Sequence, residues 1–311
     1  MGKGTVDLFL MSPPHPQWAI RARANFRSRE AAPVDARTAR REWLALALAI
    51  ERLGGTVVAL EAPSPELTGM PYAAECGQIV PREGRAPLFI LPRMAHAHRR
   101  AERDHWERLA RAMGMACADP GAGTWEAQGD VAHFDGCTLL FHGGRTDRAG
   151  MEGARRLMEE AGALGEVLEV EVREPAFHGN MALLAVPAVD RMLVCPSVVS
   201  PASMAALRRR FGAERLIEVS EDEIRNYATN ALPVGRTLLT PSVAPERVLR
   251  LLSEAGMEIC SLSMKELCEK GGGASRCLVS WAAVPEGSVH LPEENRLSSV
   301  ARSIESAGGE R

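Results

Sequence analysis

The chain has 311 residues, of which 46% are apolar and 25% charged, a composition typical of a globular protein with one large domain or two moderate ones. Its 37 basic and 40 acidic residues give a net charge of −3, so its overall field attracts neither nucleic acid nor an anionic membrane. Because no apolar run is long enough to cross a bilayer or to direct secretion, the sequence predicts a cytoplasmic protein.

The predicted elements alternate between strands and helices along the chain. A strand at 5–11 precedes a helix that Asp35 or Thr38 would cap and that Gly54-Gly55 would end. Further strands are predicted at 56–60, 78–80, 87–91, 131–134, 137–141, 167–172, 192–194, 216–219, 237–240 and 258–262. Further helices are predicted at 97–113, from about 147 to 161, at 201–211 and at 244–255. This alternation, without a Pro/Gly/Ser-rich linker, predicts one α/β domain over 1–297 and a C-terminal tail at 298–311.

The seven cysteines are odd in number and widely spaced, so they suggest neither a disulfide framework nor a metal site. We therefore expect free thiols, no metal and no cofactor. One of these cysteines has a distinctive setting, because Gly271-Gly272-Gly273 allows close backbone approach just before Cys277, in a short apolar run that resembles a strand. Cys277 is a candidate nucleophile if a neighbouring base or cation activates it, and the alternative is an inert buried thiol.

Further candidates lie upstream. Glu126 and Asp130 are separated by a bend and could face one cavity, or could instead cap a turn. His178 and Asn180 flank a glycine and could shuttle a proton and donate a hydrogen bond, or could be ordinary surface residues.

Two arginines are candidates for binding a substrate carboxylate in a bidentate fork. Arg145 follows Gly143-Gly144 at the start of a predicted helix, and Arg93 follows the end of a predicted strand. The alternative for each is an exposed structural arginine.

The order of these segments resembles a known family. Glu-x-x-Gly-Asp (126–130), Arg-Thr-Asp (145–147), His-x-Asn (178–180), Asn-Ala-Leu (230–232) and Gly-Gly-Gly-x-x-x-Cys (271–277) are similar to motifs of the guanidine-modifying (pentein) superfamily. The resemblance covers about residues 8–281 and is greatest to the dimethylargininase and arginine-dihydrolase branch. It implies a five-bladed, pseudo-symmetric α/β propeller of ββαβ units in a single domain, with residues 1–297 as the catalytic domain.

The resemblance also implies roles for individual residues. Cys277 would attack a guanidino or amidino carbon, His178 would act as the acid and base, and Glu126 would orient His178. The substrate-binding set that it implies comprises Asp130 lining the site, Arg145 and Arg93 on a substrate carboxylate, and Asn25 where the dihydrolases carry an asparagine.

Two positions depart from the family pattern. Asn180 stands where the family has an aspartate, and Cys76 stands at the place of a second acidic or amide residue, with Glu75 one residue away. Loss of two carboxylates would remove charge-assisted hydrogen bonds worth about 1.5–3 kcal/mol each. We therefore expect either a less basic or substituted amidino group, or that Glu75 has taken over.

The hypothesis from sequence is a cysteine-dependent hydrolase acting on a guanidino, amidino or ureido-like C–N bond of an arginine-derived small molecule. The alternatives are an amidinotransferase that passes the amidino group to an amine, and a non-catalytic pentein that binds a partner. We expect a small-molecule partner and neither nucleic acid nor membrane, and the sequence leaves open whether the chain is a monomer or a homodimer.

Overall fold

Five three-stranded sheets make up the β-structure of residues 4–21, 25, 28–29 and 31–306, the part of the chain that the computed structural model describes. In chain order the strands are β1 (Thr5–Met11), β2 (Thr56–Ala59), β3 (Gln78–Val80), β4 (Leu88–Ile90), β5 (Ala116–Ala118), β6 (Val131–Phe134), β7 (Cys137–His142), β8 (Glu166–Glu171), β9 (Leu183–Val186), β10 (Arg191–Val194), β11 (Leu216–Glu218), β12 (Leu232–Val234), β13 (Thr237–Pro241), β14 (Glu258–Leu262) and β15 (Ser280–Pro285). The α-helices are α1 (Ala36–Arg52), α2 (Glu102–Ala112), α3 (Arg148–Glu160), α4 (Gly179–Ala182), α5 (Pro201–Phe211), α6 (Glu221–Arg225), α7 (Glu246–Glu254) and α8 (Leu297–Ser306).

Four sheets share one connection, in which two antiparallel strands are followed by a helix and by a third strand parallel to the second. These units are β3-β4-α2-β5, β6-β7-α3-β8, β9-β10-α5-β11 and β12-β13-α7-β14. Each middle strand is an apolar run, and all six residues of β7 are buried, as expected for a strand covered on both faces. The predicted five-bladed α/β propeller of ββαβ units is confirmed.

The fifth sheet joins the two ends of the chain. Strand β15 pairs antiparallel with β1, with Thr5 opposite Pro285 and Leu10 opposite Ser280, while β2 pairs parallel with β1 after helix α1. The last strand therefore completes the first blade.

Helix α1 begins as the sequence predicts. The Asp35 carboxylate accepts hydrogen bonds from the backbone N–H groups of Arg37 and Thr38, at 3.0 and 3.2 Å, so Asp35 is the cap and Thr38 lies inside the first turn. At the other end, Gly54 adopts a φ of +90°, which a glycine reaches without steric cost.

Two local predictions were wrong. The helix predicted at 97–113 is a 3₁₀ turn at Ala97–Arg99 followed by α2, and the turn directs Arg99 inward to buried carboxylates. Cys277 lies in a turn three residues before β15 and not in a strand. The pleat of a sheet therefore does not set the direction of its side chain.

The C-terminal helix α8 packs against α1. Val300 and Ile304 are buried in the same apolar cluster as Trp43 and Ile50 of α1. The predicted division between residues 297 and 298 thus falls within α8, and residues 307–311 of the predicted tail lie outside the described residues. Within the described ranges, no helix has both the length and the apolarity needed to cross a membrane.

The packing of α8 predicts a measurable contribution to stability. Ile304→Ala should lower the free energy of unfolding by about 2–3 kcal/mol, because it removes a buried side chain and leaves a cavity. The exposed neighbour Glu305 provides the control, since Glu305→Ala should change stability by no more than about 0.5 kcal/mol. Urea denaturation measures both values, and equal stability of the two variants would show that α8 does not support the core.

Candidate active site

A cavity opens beside Cys277, with a volume of about 600 Å³ including its mouth. Its walls carry aromatic, acidic, basic and glycine residues drawn from well-separated parts of the sequence. They are Trp18, Ile20, Arg21, Asn25, Thr68, Gly69, Tyr72, Glu75, His96, His98, Arg99, Arg145, Phe177, Gly271, Gly272, Gly273 and Cys277.

The glycine run gives the Cys277 loop its shape. Gly272 has a φ of +92°, and a Cβ atom at Gly273 would lie 2.5 Å from the Tyr72 ring, so neither position accommodates a larger residue without rearrangement. The Tyr72 hydroxyl donates to the Leu267 carbonyl at 3.1 Å, and the Asn25 side chain donates to the Gly271 carbonyl at 3.0 Å. The N-terminal part of the chain thereby holds the loop in place.

Asn230 contacts both the Cys277 sulfur and the backbone of its loop. Its Oδ1 accepts from the Ala274 N–H at 3.0 Å, and its Nδ2 donates to the Cys277 Sγ at 3.1 Å. Asn180 Nδ2 lies 3.7 Å from the same sulfur, within reach for a hydrogen bond to sulfur. Two amide donors therefore face the sulfur, and they favour the thiolate over the thiol.

Burial nevertheless keeps Cys277 protonated in the unliganded protein. The desolvation of the buried sulfur and the negative charge of Glu75 raise the pKa of the thiol to about 12. The hydrogen bond from Asn230, the charge of Arg276 and the hydrogen bond from Asn180 oppose this rise only in part. The thiol needs a further change in its surroundings before it can act as a nucleophile.

His178 and Glu126 form a buried pair beside the cavity. His178 Nε2 lies 2.7 Å from Glu126 Oε2, and Glu126 Oε1 accepts from the Ala95 N–H at 2.9 Å. Burial alone would raise the pKa of Glu126, but the hydrogen bond and charge of His178, together with Arg145 and Arg99, lower it far below its ordinary value. Glu126 is therefore ionised and fixes the orientation of the imidazole.

The second ring nitrogen of His178 faces Glu75. His178 Nδ1 lies 3.4 Å from Glu75 Oε1 and forms no hydrogen bond with the described residues. Burial alone would lower the pKa of His178, but the charges of Asp130, Glu75 and Glu126 outweigh it and raise the pKa above its usual value. Nδ1 is thus the nitrogen that can exchange a proton with a bound molecule.

Asp130 lies outside the cavity lining and supports the histidine segment. Its Oδ1 accepts from the Gly179 N–H and its Oδ2 from the Thr146 hydroxyl, both at 2.7 Å. The Thr146 oxygen also accepts from the Glu126 N–H at 2.9 Å. Burial raises the pKa of Asp130 to about 6, so at neutral pH it remains mostly ionised and adds negative charge behind His178.

Glu75, and not Cys76, faces the cavity. The 3₁₀ turn Ala73–Glu75 directs the carboxylate inward, where it contacts the guanidinium of Arg99 and His178 Nδ1. The Cys76 side chain is buried in the apolar cluster that contains Met70 and Phe89, and burial raises its thiol pKa. The prediction that Cys76 contacts a substrate is therefore corrected, because Glu75 occupies the predicted position in the cavity wall.

The two candidate arginines differ in position. Arg145 lines the cavity, lies 4.1 Å from the centre of the Phe177 ring and is 3.8 Å from Glu126 Oε2. Arg93 points elsewhere, because its guanidinium pairs with Asp119 at 2.9 Å and donates to the Gly123 carbonyl at 3.0 Å. The structure does not bring Arg93 to this site.

Three polar residues of the site had no predicted role. Asn230 was recognised only as part of the Asn-Ala-Leu motif, whereas Thr146 and Arg99 lie within segments that sequence patterns assign to helices or their starts. Arg99 pairs with both Glu75 and Glu102, and the latter contact is 2.8 Å long. Over the described ranges, no group of three or more His, Cys, Asp or Glu side chains is arranged to hold a metal ion.

Comparison with known proteins identifies the fold. No family model matches the sequence. Over 253 residues the chain is 25% identical to an uncharacterized protein of Caenorhabditis elegans, a match covering 79% of this chain and 84% of that protein.

The solved structures that are similar to this one include the following two enzymes. The first is the product-bound N-terminal domain of ArgZ, an arginine dihydrolase of the ornithine-ammonia cycle in cyanobacteria, with a TM-score of 0.78, 20% identity and coverage of 89% of this chain and 97% of that domain. The second is a dimethylarginine dimethylaminohydrolase variant as its adduct with S-methyl-L-thiocitrulline, with a TM-score of 0.68, 17% identity and coverage of 91% and 100%. The chain therefore has the pentein fold that these enzymes share.

The contact between Asn230 and Cys277 predicts a shift in thiol reactivity. Asn230→Asp keeps an oxygen for the Ala274 N–H but replaces the donor to Sγ with a negative charge, so it should raise the Cys277 pKa further. Loss of a hydrogen bond to a charged group should raise the thiol pKa by about one to two. Alkylation at pH 8 should therefore be at least about tenfold slower. Iodoacetamide labelling followed by peptide mass spectrometry, with rates measured against pH, tests this.

Asn295→Asp is the matched control, because Asn295 donates to the Ala59 carbonyl outside the cavity. This control should alkylate at the wild-type rate. Equal or faster labelling of Cys277 in Asn230→Asp would show that Asn230 does not stabilise the thiolate.

Proposed function

We propose that this protein is a cysteine-dependent hydrolase that cleaves a C–N bond in the guanidino, amidino or ureido-like group of an arginine-derived small molecule. The observation that carries the proposal is that Cys277 and Glu75 line one cavity, while the buried His178–Glu126 pair lies beside it with His178 Nδ1 3.4 Å from Glu75 Oε1. The fold supports it, because ArgZ acts as an arginine dihydrolase and has been captured covalently bound to a reaction intermediate.

Substrate binding would activate the nucleophile. The negative charge of Glu75 raises the Cys277 pKa, so an amidino group that binds Glu75 with its N–H donors offsets that charge and lowers the thiol pKa. The proton then passes to His178 Nδ1. The resulting imidazolium is stabilised by Glu126, Asp130 and Glu75, the same charges that raise the histidine pKa.

The first chemical step forms a covalent intermediate. The Cys277 sulfur attacks the amidino carbon and forms a C–S bond, while the leaving nitrogen takes a proton from His178 as its C–N bond breaks. An amine or ammonia departs, and the remaining amidino group stays on the sulfur as a thiouronium. Asn180 and Asn230 hold the sulfur during attack through their amide donors.

Water then completes the reaction. Neutral His178 takes a proton from a water molecule as the oxygen attacks the same carbon, and the C–S bond breaks. His178 returns its proton to the sulfur, the oxygen loses its remaining proton to solvent, and the product leaves with a carbonyl oxygen where the nitrogen had been. Glu126 keeps the imidazole oriented through both steps.

Charges at the cavity suggest the class of substrate. Arg145 and Glu75 both line the cavity, so Arg145 would bind a carboxylate at one end of the substrate and Glu75 the amidino group at the other. Glu75 is shared with Arg99, and the neighbouring Asn180 is neutral, so the amidino subsite has less negative charge than two free carboxylates would give. We therefore propose an amidino group that is substituted or less basic than that of arginine.

With all seven cysteines present as thiols, we place this activity in the cytoplasm.

Loss of the nucleophile should abolish turnover. Incubation with arginine, methylated and hydroxylated arginines and ureido acids should release ammonia or an amine, and Cys277→Ser should reduce release to background. Cys117→Ser is the control, because Cys117 lies in β5 outside the cavity. Intact-protein mass spectrometry under turnover should show an adduct on Cys277.

Other outcomes would change the proposal. Full turnover by Cys277→Ser would exclude the covalent mechanism, and transfer of the amidino group to an added amine would identify an amidinotransferase. No turnover and no adduct with any of these compounds would favour a binding protein.

Glu75 should matter more for catalysis than a nearby exposed glutamate. Glu75→Gln should lower kcat/KM by about 10- to 100-fold, the equivalent of one charge-assisted hydrogen bond. The control is Glu83→Gln, since Glu83 is exposed in the turn between β3 and β4 and lies outside the cavity lining. Thermal unfolding of both variants, measured in parallel, separates a loss of catalysis from a loss of folding. Unchanged kcat/KM in Glu75→Gln would remove Glu75 from the substrate site.

A further inference from the structure

A second cavity lies beyond the Cys277 loop and is distinct from the catalytic cavity. Its volume is about 1140 Å³ including its mouth, and most of its lining is apolar. We call it the Arg276 cavity and define it by its lining residues, which are Gln128, Val131, Ala132, His133, Phe141, Asn180, Leu183, Leu184, Ala185, Pro187, Ala188, Leu232, Pro233, Gly235, Arg276 and Trp281. Strands β6, β9 and β12 supply most of the apolar wall.

Arg276 is the one arginine in this lining. Its guanidinium donates hydrogen bonds to carbonyl oxygens and not to a carboxylate. Its Nη1 donates to the Val279 carbonyl at 3.0 Å, and its Nη2 lies 3.3 Å from the Gln128 backbone oxygen and 3.2 Å from the Gln128 side-chain oxygen. Among the described residues, no Asp or Glu forms an ion pair with it.

The surroundings of Arg276 disfavour its charge. Burial lowers the pKa of its guanidinium to about 10, and the charge that acts against this effect is that of the Cys277 sulfur. The other titratable side chain in the lining is His133, whose pKa is lowered by burial and by Arg276. A cation in an apolar cavity without an acidic partner is unfavourable, and a bound anion would relieve it.

We propose that the Arg276 cavity binds a small monocarboxylate with an apolar body. A guanidinium has five N–H donors, and the contacts with Val279 and Gln128 use at most three of them, so at least two remain to bind a carboxylate. The valine, leucine, alanine, phenylalanine and proline side chains provide the surface for the apolar part. A cavity with apolar walls and few polar groups is the usual form of a small-molecule site. The indole of Trp281, which is 37% exposed, lies in the same lining and would cover part of the ligand.

Binding there would act on the nucleophile. Arg276 precedes Cys277 and its charge lowers the thiol pKa, while Asn180 both lines this cavity and donates to Sγ. A carboxylate on Arg276 neutralises that charge and leaves the thiol harder to ionise. The bound ligand therefore slows alkylation of Cys277, an effect that does not depend on the proposed hydrolase activity.

Octanoate is a suitable probe, with octanamide as the uncharged match of the same length. Isothermal titration calorimetry should give an octanoate affinity about tenfold or more above that of octanamide. Arg276→Gln should weaken octanoate binding by about tenfold or more, and Ala185→Phe should weaken it similarly by filling the cavity while leaving Arg276 in place. Circular dichroism of each variant confirms that it is folded.

Arg145→Gln is the matched control, because Arg145 lines the catalytic cavity. It should leave octanoate affinity unchanged, and saturating octanoate should slow iodoacetamide labelling of Cys277 in the wild type. The proposal is overturned if octanoate fails to bind the wild type, if Arg276→Gln and Ala185→Phe bind it as tightly as the wild type, or if Arg145→Gln alone loses binding.

Discussion

The pairing of the last strand with the first is the constraint on which the site depends. Strand β15 lies antiparallel to β1, and this pairing fixes the turn that precedes it, so Cys277 reaches the interior of the ring. The Cys277 carbonyl accepts from the Ala74 N–H at 3.0 Å, next to the turn that carries Glu75. Residues separated by about two hundred positions in sequence thus meet because the ring is closed at this blade.

The buried charges form the second level of organisation. Glu126 is balanced by His178 and Arg145, and Glu75 shares Arg99 with Glu102, so each of these three buried carboxylates has a cationic partner. Unpaired charges at these positions would be costly, and removal of one partner leaves the other uncompensated. The same arrangement raises the pKa values of both His178 and Cys277, so the resting thiol is unreactive and the imidazole holds a transferred proton more readily than a free histidine would.

Sequence patterns predicted the strands and helices of the blades well. They predicted less completely which side chains point into the cavity. Alternating apolar runs and helix caps such as Asp35 specify the blades locally, and the order of motifs placed Cys277, His178 and Glu126 in one group. Sequence comparison pointed to Cys76, but Glu75 is the residue that faces the cavity. The two lie at the end of a 3₁₀ turn, in which successive side chains point about 120° apart, so a shift of one residue decides which side chain faces the cavity. Arg93 and Arg99 illustrate the same limit, since Arg93 pairs with Asp119 and Arg99 with Glu75, contacts between residues 26 and 24 positions apart that no local pattern encodes.

The late position of β15 in the chain affects when the first blade can be completed during synthesis. Because β15 follows the strands of the other four blades in the chain, the first blade waits for its third strand until those blades have been synthesised. A chain truncated before Cys277 lacks both the strand that closes the ring and the proposed nucleophile. Such a chain also leaves one edge of β1 unpaired, and an exposed strand edge favours pairing with another chain.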